Sequence, residues 1–390
     1  MDNPGVMTTA YSLTSALTRH ISQTISDSGG WIGFDAFMAL ALYTPGLGYY
    51  ANDSAKFGSL PYATQGDNPT PGSDFVTAPE MTPLFGQTLA AQVAQALQVT
   101  QTTEVWEFGA GSGALALQVL DRLAALGQPL VRYSIVDLSG SLRARQQKTL
   151  EKYSDAVRWV SELPDTLQGV VIGNEVLDAM PVKLLARTRG VWHERGVALP
   201  APGEAPLDAA AAAFAWRDVP TDLRPPLEPQ GEHDYLTEIH AQAESFVRTL
   251  GDKLSAGALF FIDYGFPEAE YYHAQRHMGT VMCHRAHRSD TDPLTDVGLK
   301  DITAHVNFTG IALAAQEADM GVLGYCTQAR FLMNCGLFER LEDASTVQRV
   351  QAQKLIMEHE MGELFKVIGL FKGEPWDAIG FAHGDRTDRL

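Results

Sequence analysis

Glu107-Phe108-Gly109-Ala110-Gly111-Ser112-Gly113 stands directly behind the strand-like run Glu104-Val105-Trp106 and ahead of the helix former Ala114-Leu115-Ala116-Leu117-Gln118-Val119-Leu120. No other stretch constrains the fold as tightly. An acidic residue followed by three alternating glycines reads as the first strand and nucleotide loop of a doubly wound α/β domain. Only a chain without Cβ turns that sharply and lets an adenosine-type ligand lie against backbone N–H groups at a helix N-terminus. Glycine-rich turns are common, so the weight falls on the strand, loop and helix context, which this motif has.

The alternation continues downstream. Strands are expected over 132–136, 156–160, 169–172 and 258–262, with a helix over 142–150 between the first two, which implies a mostly parallel sheet with ligands outside the carboxyl ends of its strands. Helices are also expected over 12–26, 35–42 and 85–97 and, late in the chain, over 329–334 and 346–357. A strand over 365–371 is placed at the far edge of the sheet. The Asn, Asp, Ser, Gly and Pro-rich segment 51–74 reads as a loop. Two domains follow from this: an N-terminal helical extension over 1–100 that covers the cofactor site, and a catalytic domain over 101–390 with an insertion at about 183–245. In the insertion we expect a hairpin (184–188 with 191–195) and an exposed linker rather than a second independent domain, because an Ala-rich stretch at 209–213 and a Pro-rich one at 220–229 interrupt it.

Composition narrows the function classes. With 29 Lys and Arg against 47 Asp and Glu, the formal net charge is −18, which disfavours a phosphate-backbone binder. Three cysteines, Cys283, Cys326 and Cys335, without metal-ligand pairing fit buried thiols in a reducing compartment. No apolar run approaches the ~18 residues of a membrane span, and the first residues lack the basic and apolar regions of a secretory leader. These features point to a cytoplasmic protein. His284, His287 and His305 fit no zinc template well, so no metal is expected.

The glycine segment also fits Gly-x-Gly-x-x-Ala through Gly109, Gly111 and Ala114, so a nicotinamide cofactor competes with S-adenosylmethionine. Glu107, two residues before the first glycine, suits the cationic amino-acid end of the sulfonium compound and gives a pyrophosphate nothing. The Asn174-Glu175 pair after the strand over 169–172 would repel phosphates and suit a sulfonium. Asp137, at the end of the second strand, can grip ribose hydroxyls in either class, or cap the next helix. Trp159 can flank an adenine, or belong to the core. On balance the methyl donor is favoured.

The loop Gly173-Asn174-Glu175-Val176-Leu177-Asp178-Ala179-Met180-Pro181 puts two carboxylates three residues apart. If it makes one helical turn before Pro181, Glu175 and Asp178 fall on one side. Two carboxylates can hold a guanidinium bidentately and accept its proton as a methyl group arrives; the plainer reading is that they cap the turn. Asp263-Tyr264-Gly265 ends the next strand and faces the same crevice.

At these positions the sequence resembles the MidA-type methyltransferases, a class I S-adenosylmethionine-dependent family that includes a mitochondrial assembly factor methylating an arginine of a respiratory complex I subunit. The resemblance rests on Phe37-Met38 with Leu42-Tyr43-x-Pro45-x-x-Gly48-Tyr49-Tyr50, on Asp74-Phe75-x-Thr77-Ala78-Pro79-Glu80 with Phe85-Gly86, and on the glycine loop. It continues in Gly173-Asn174-Glu175-x-x-Asp178, in Ile262-Asp263-Tyr264-Gly265 and in Asp301-Ile302-Thr303-Ala304-His305-Val306-x-Phe308. The resemblance implies a Rossmann-like sheet whose N-terminal helices, with Thr77, Pro79 and Glu80, close over the cofactor. Glu107, Gly109, Ala110, Gly111, Gly113, Asp137, Leu138 and Asn174 complete the expected cofactor set, and Asn174, Glu175 and Asp178 border the methyl-transfer site. The expected activity is methylation of arginine on a protein substrate, with no nucleic-acid partner and the oligomeric state, a homodimer among the options, left open. A non-catalytic assembly factor and a small-molecule methyltransferase on the same fold are the alternatives.

Overall fold

The structure is a computed structural model that describes residues 4–52, 77–137, 140–201, 213–285 and 288–390. Expectations attached to Asp74, Phe75, Leu138, His287 and residues 209–212 lie outside these. The chain divides into two compact units, each built from separate stretches: Met1–Ala55, Ala179–Ala243 and Glu268–His305 form one, and Lys56–Asp178, Glu244–Pro267 and Val306–Leu390 form the other. The helix Leu84–Val99, read from sequence as the end of an N-terminal extension, thus belongs to the unit that carries the glycine loop.

That unit is organised by one sheet. Its main strands are β1 (Glu104–Phe108), β2 (Arg132–Val136), β3 (Val157–Val160), β4 (Leu167–Asn174), β5 (Leu254–Phe266), β6 (Gly321–Thr327) and β7 (Phe365–Lys372), with the two-residue strand Val306–Asn307 paired in parallel to the end of β5. They lie in the order β3-β2-β1-β4-β5-β7-β6. All are parallel except β7, which runs antiparallel to both β5 and β6. Consecutive residues Val170, Val171 and Ile172 of β4, and Ala258 to Ile262 of β5, are buried without alternation. Successive strand residues point to opposite faces, so both faces are covered and near-continuous apolar runs result. The strand order reverses between β1 and β4, and ligands of open α/β sheets bind outside the carboxyl ends at such a point. One expectation is corrected here: β7 lies inside the sheet, and its edge is β6, whose sequence Gly321-Val-Leu-Gly324-Tyr-Cys-Thr327 carries two glycines that weaken any strand signal.

The other unit holds the helices Pro4–Asp27, which begins well ahead of the expected 12–26, and Phe34–Tyr43, one residue longer at each end than expected. Leu17, Ile21 and Ile25, spaced by four on the first helix, are fully buried. Its five-stranded antiparallel sheet contains the anticipated hairpin, Lys183–Thr188 with Val191–Ala198, flanked by Tyr235–Ile239 on one side and by Ile32–Gly33 and Ala215–Pro220 on the other. The insertion is therefore more than a hairpin and a linker. It adds two further strands and shares a compact unit with the N-terminal stretch. Lys183 fastens the two, bridging Asp35 at 3.0 Å and Glu194 at 2.8 Å.

Candidate active site

Behind β1, Gly109, Gly111 and Gly113 adopt φ of +65°, +52° and +85°, the left-handed region that costs an L residue roughly 1–2 kcal/mol. A Cβ on Gly109 would also sit 3.0 Å from the Val176 side chain. Gly113 precedes the helix Ala114–Ala125 and donates its N–H to the Ala110 carbonyl at 2.7 Å, closing the turn. Glu107 is 1% exposed, and its Oε2 accepts the Tyr133 hydroxyl of β2 at 2.5 Å. Burial pushes the carboxyl up to about 8, against the pull of the Tyr133 bond and helped by the charge of Asp137. A carboxyl buried with so little compensation would have its charged form favoured by a nearby cation.

Asp137 follows β2. The expected helix behind it is present as Gly140–Thr149, and it carries a residue that sequence reasoning passed over. Gln146 is fully buried and donates through Nε2 to Asp137 Oδ2 at 2.8 Å and to the Gly111 carbonyl at 3.0 Å, while Oε1 accepts the Trp159 indole N–H at 2.9 Å. Thr149 Oγ1 donates to the Ser112 carbonyl at 2.9 Å.

The segment from Thr77 joins the same loop. Thr77 is the extended residue before the short helix Ala78–Met81. Glu80 accepts a hydrogen bond from the Ser112 hydroxyl, and the Pro79 carbonyl accepts from Gln118 Nε2 at 2.7 Å. Gln118 Oε1 in turn accepts the Gly86 N–H at 3.0 Å, where any Cβ would meet Gln118 itself at 2.6 Å. Gly86 is thus required for close helix packing, and Gln118 is a second organising amide with no signal of its own in the sequence.

At the carboxyl end of β4 the structure departs from the expected helical turn. Glu175 takes φ +54°, and its N–H donates to the Ile262 carbonyl at 2.9 Å, so the loop leaves the strand as a left-handed bend. Asp263, fully buried at β5, supplies the order: Oδ2 accepts the N–H groups of Leu177 at 2.9 Å and Asp178 at 3.2 Å, and Oδ1 accepts that of Tyr264 at 2.9 Å. Burial first, then the charges of Asp178 and Glu175, push the Asp263 carboxyl well above the usual range. Asp178, 4% exposed, accepts the Tyr264 hydroxyl. Asn174 donates to Glu175 Oε1 at 2.9 Å, while its own Oδ1 is buried without a partner. Asn174 and Glu175 are thus joined to each other, and Asp263 rather than helical geometry orders the stretch that carries Asp178.

The histidines fall in the other unit. His284 lies in the strand Met282–Arg285, where burial lowers its imidazole, and the His305 N–H donates to Thr280 Oγ1 at 3.1 Å. All three cysteines are buried thiols.

Residues 88–326 match the family described as "Putative S-adenosyl-L-methionine-dependent methyltransferase". A Burkholderia thailandensis protein solved with S-adenosyl-homocysteine bound is 45% identical, with 100% of this chain and 99% of that one covered and a TM-score of 0.89. Among curated proteins, the Caenorhabditis elegans protein arginine methyltransferase NDUFAF7 homolog, mitochondrial, is 25% identical over 393 residues, covering 91% of this chain and 87% of its own. The Danio rerio protein arginine methyltransferase NDUFAF7, mitochondrial, is 26% identical over 399 residues, covering 91% and 86%. These names correct the expectation of a cytoplasmic location. That reading rested on reduced thiols and a missing apolar span, properties that every reducing compartment shares.

The residues present fit an adenosyl sulfonium. A buried carboxyl, three left-handed glycines, an acid at the end of β2 and the orphaned Asn174 oxygen offer acceptors and backbone, with no cluster of positive charge for a pyrophosphate among the side chains described at the loop.

Proposed function

Because this chain belongs to the S-adenosylmethionine-dependent methyltransferase family that the match defines, and is an enzyme taking its methyl group from that cofactor, we propose that its acceptor is an arginine side chain of a protein. Glu107 takes the ammonium end of the cofactor. Gly109, Ala110, Gly111 and Gly113 line the adenosine with backbone, Asp137 holds the ribose, and Thr77, Pro79, Glu80 and Asn174 complete the enclosure together with Leu138. The sulfonium brings an already activated methyl group, so the protein contributes proximity and orientation above all.

The observation that carries the acceptor assignment is the array of acceptors after β4. The buried Asn174 Oδ1 has no hydrogen-bond partner, and the Glu175 and Asp178 side chains on the same loop add two acidic groups to it. A guanidinium is planar, donor-only and cationic, and matches such an array better than a hydroxyl or a thiol does. Glu175 and Asp178 orient its plane, and one of them receives the proton that leaves nitrogen as the methyl arrives. The names of the curated relatives support the same acceptor.

The test is methyl-labelled S-adenosylmethionine with dialysed cell protein, subunits of respiratory complex I being the first offered, followed by acid hydrolysis and identification of the labelled amino acid. Label in methylarginine is expected, and Asp178→Asn should lower it by about 100-fold or more. Label in another residue, or only in dialysable compounds, contradicts the assignment.

A further inference from the structure

Gln146 meets three parts of the cofactor site with one side chain. It sits on a ten-residue helix, fully buried, while its neighbours Arg145 and Gln147 are exposed. Its bonds have an enforced direction. The Trp159 indole N–H is a donor only, so the amide oxygen must face it. Nε2 is then left to face the two acceptors, the Gly111 carbonyl and Asp137 Oδ2. Trp159 therefore sets the amide, and the amide sets the acid.

Two consequences follow for the loop. Carbonyl and N–H of a trans peptide point in opposite directions. With the Gly111 carbonyl drawn toward Gln146, the Ser112 N–H is turned away from that helix; with the Ser112 carbonyl drawn to Thr149, the next peptide plane is fixed as well. Gly113 completes the turn with its left-handed φ of +85°, packed at ordinary contact distance from the Gln146 backbone. On the other side, the Trp159 ring is pinned by its N–H and covered by the Arg143 guanidinium at 5.8 Å.

We propose that Gln146 is a positioning residue of the nucleoside end of the cofactor site. Oriented by Trp159, its amide presents Asp137 to the ribose and holds the glycine loop in the form that receives adenosine. The inference rests on the assignment of Asp137 to the ribose. It gains affinity through preorganisation, because the carboxylate and the loop need no reordering when the ligand arrives.

The experiment is calorimetry with two probes, S-adenosylhomocysteine and 5′-methylthioadenosine, which keeps the nucleoside but lacks the amino-acid end. Gln146→Met fills the same volume without the hydrogen bonds and should weaken both probes equally, by about 10- to 100-fold. Trp159→Phe leaves Gln146 in place but frees its amide to flip, and should weaken both by several-fold. Glu107→Gln should weaken S-adenosylhomocysteine alone. If Gln146→Met does not fold, Trp159→Phe decides the matter. Wild-type affinity for 5′-methylthioadenosine in Gln146→Met and Trp159→Phe, with Asp137→Ala binding lost, overturns the proposal and leaves the ribose assignment standing. Unchanged binding in Asp137→Ala as well overturns both.

Discussion

Glu107 and Asp263 are buried carboxyls at the ends of two strands of one sheet, and they are built for opposite purposes. Asp263 receives three backbone N–H groups and thereby shapes the loop that carries Asp178. Glu107 receives one side-chain hydroxyl, that of Tyr133, and its carboxyl is pushed up to about 8. A carboxyl whose two oxygens both accept backbone N–H groups is held by the chain itself and acts as a structural element. One buried with a single donor is costly alone and becomes favourable when a cation arrives. The contrast supports the proposal that the β1 end takes the methyl donor and the β4 and β5 ends the acceptor.

The largest effect that would break the comparison is on folding. Asp263→Ala leaves the Leu177 and Asp178 N–H groups buried without an acceptor, which should cost about 2–6 kcal/mol in urea denaturation. A loss below about 1 kcal/mol would mean that the loop finds other partners and that Asp263 is not its organiser.

Stability should also depend on pH through Glu107. The folded-state value of Glu107 is raised from 4.5 to about 8, so the folded protein keeps a proton that the unfolded chain releases in this interval. The contribution of Glu107 to stability is present in full below pH 4.5, declines as pH rises to about 8 and is flat beyond. Glu107→Gln, permanently neutral, should remove that decline and be the more stable protein at alkaline pH. Identical pH profiles for the two would contradict the account.

Ligand binding should couple to the same proton. An ammonium group beside Glu107 favours its ionised form, so S-adenosylhomocysteine binding at pH 7 should release up to about one proton, seen as a dependence of calorimetric heat on buffer ionisation enthalpy. Glu107→Gln should show none. The smallest expected effect is Gly109→Ala. Its left-handed φ and the 3.0 Å approach to Val176 should cost about 1–2 kcal/mol in thermal unfolding, and a neutral outcome would mean that the loop relaxes freely.

Much of this was legible in the sequence because strand, loop and helix each left a local signature. The glycine loop, the positions of β1, β2, β4 and β5, and the hairpin in the insertion follow from apolar runs and turn residues within a few positions of one another. What escaped has physical reasons. Gln146 lies on a helix with no apolar stripe, and nothing in one dimension separates it from Gln147; only the approach of three distant segments gives it a role. Tyr133 reads as an ordinary strand former, since its partner Glu107 sits on the neighbouring strand. The bend at Glu175 was read as a helical turn because a left-handed φ on a residue other than glycine has no sequence marker; Asp263, eighty-eight positions away, imposes the rest of the loop. The second compact unit is drawn from three separated stretches, a grouping that local patterns do not encode.

The central claim is that the donor and acceptor ends use separate carboxyls. It is tested most directly by measuring S-adenosylhomocysteine affinity of Glu107→Gln and Asp178→Asn side by side, at pH 7 and equal salt. The account predicts a loss of about 10- to 100-fold for Glu107→Gln and wild-type affinity for Asp178→Asn, whose methyl transfer is nonetheless lost. Equal losses in the two variants, or wild-type affinity in Glu107→Gln, would contradict it.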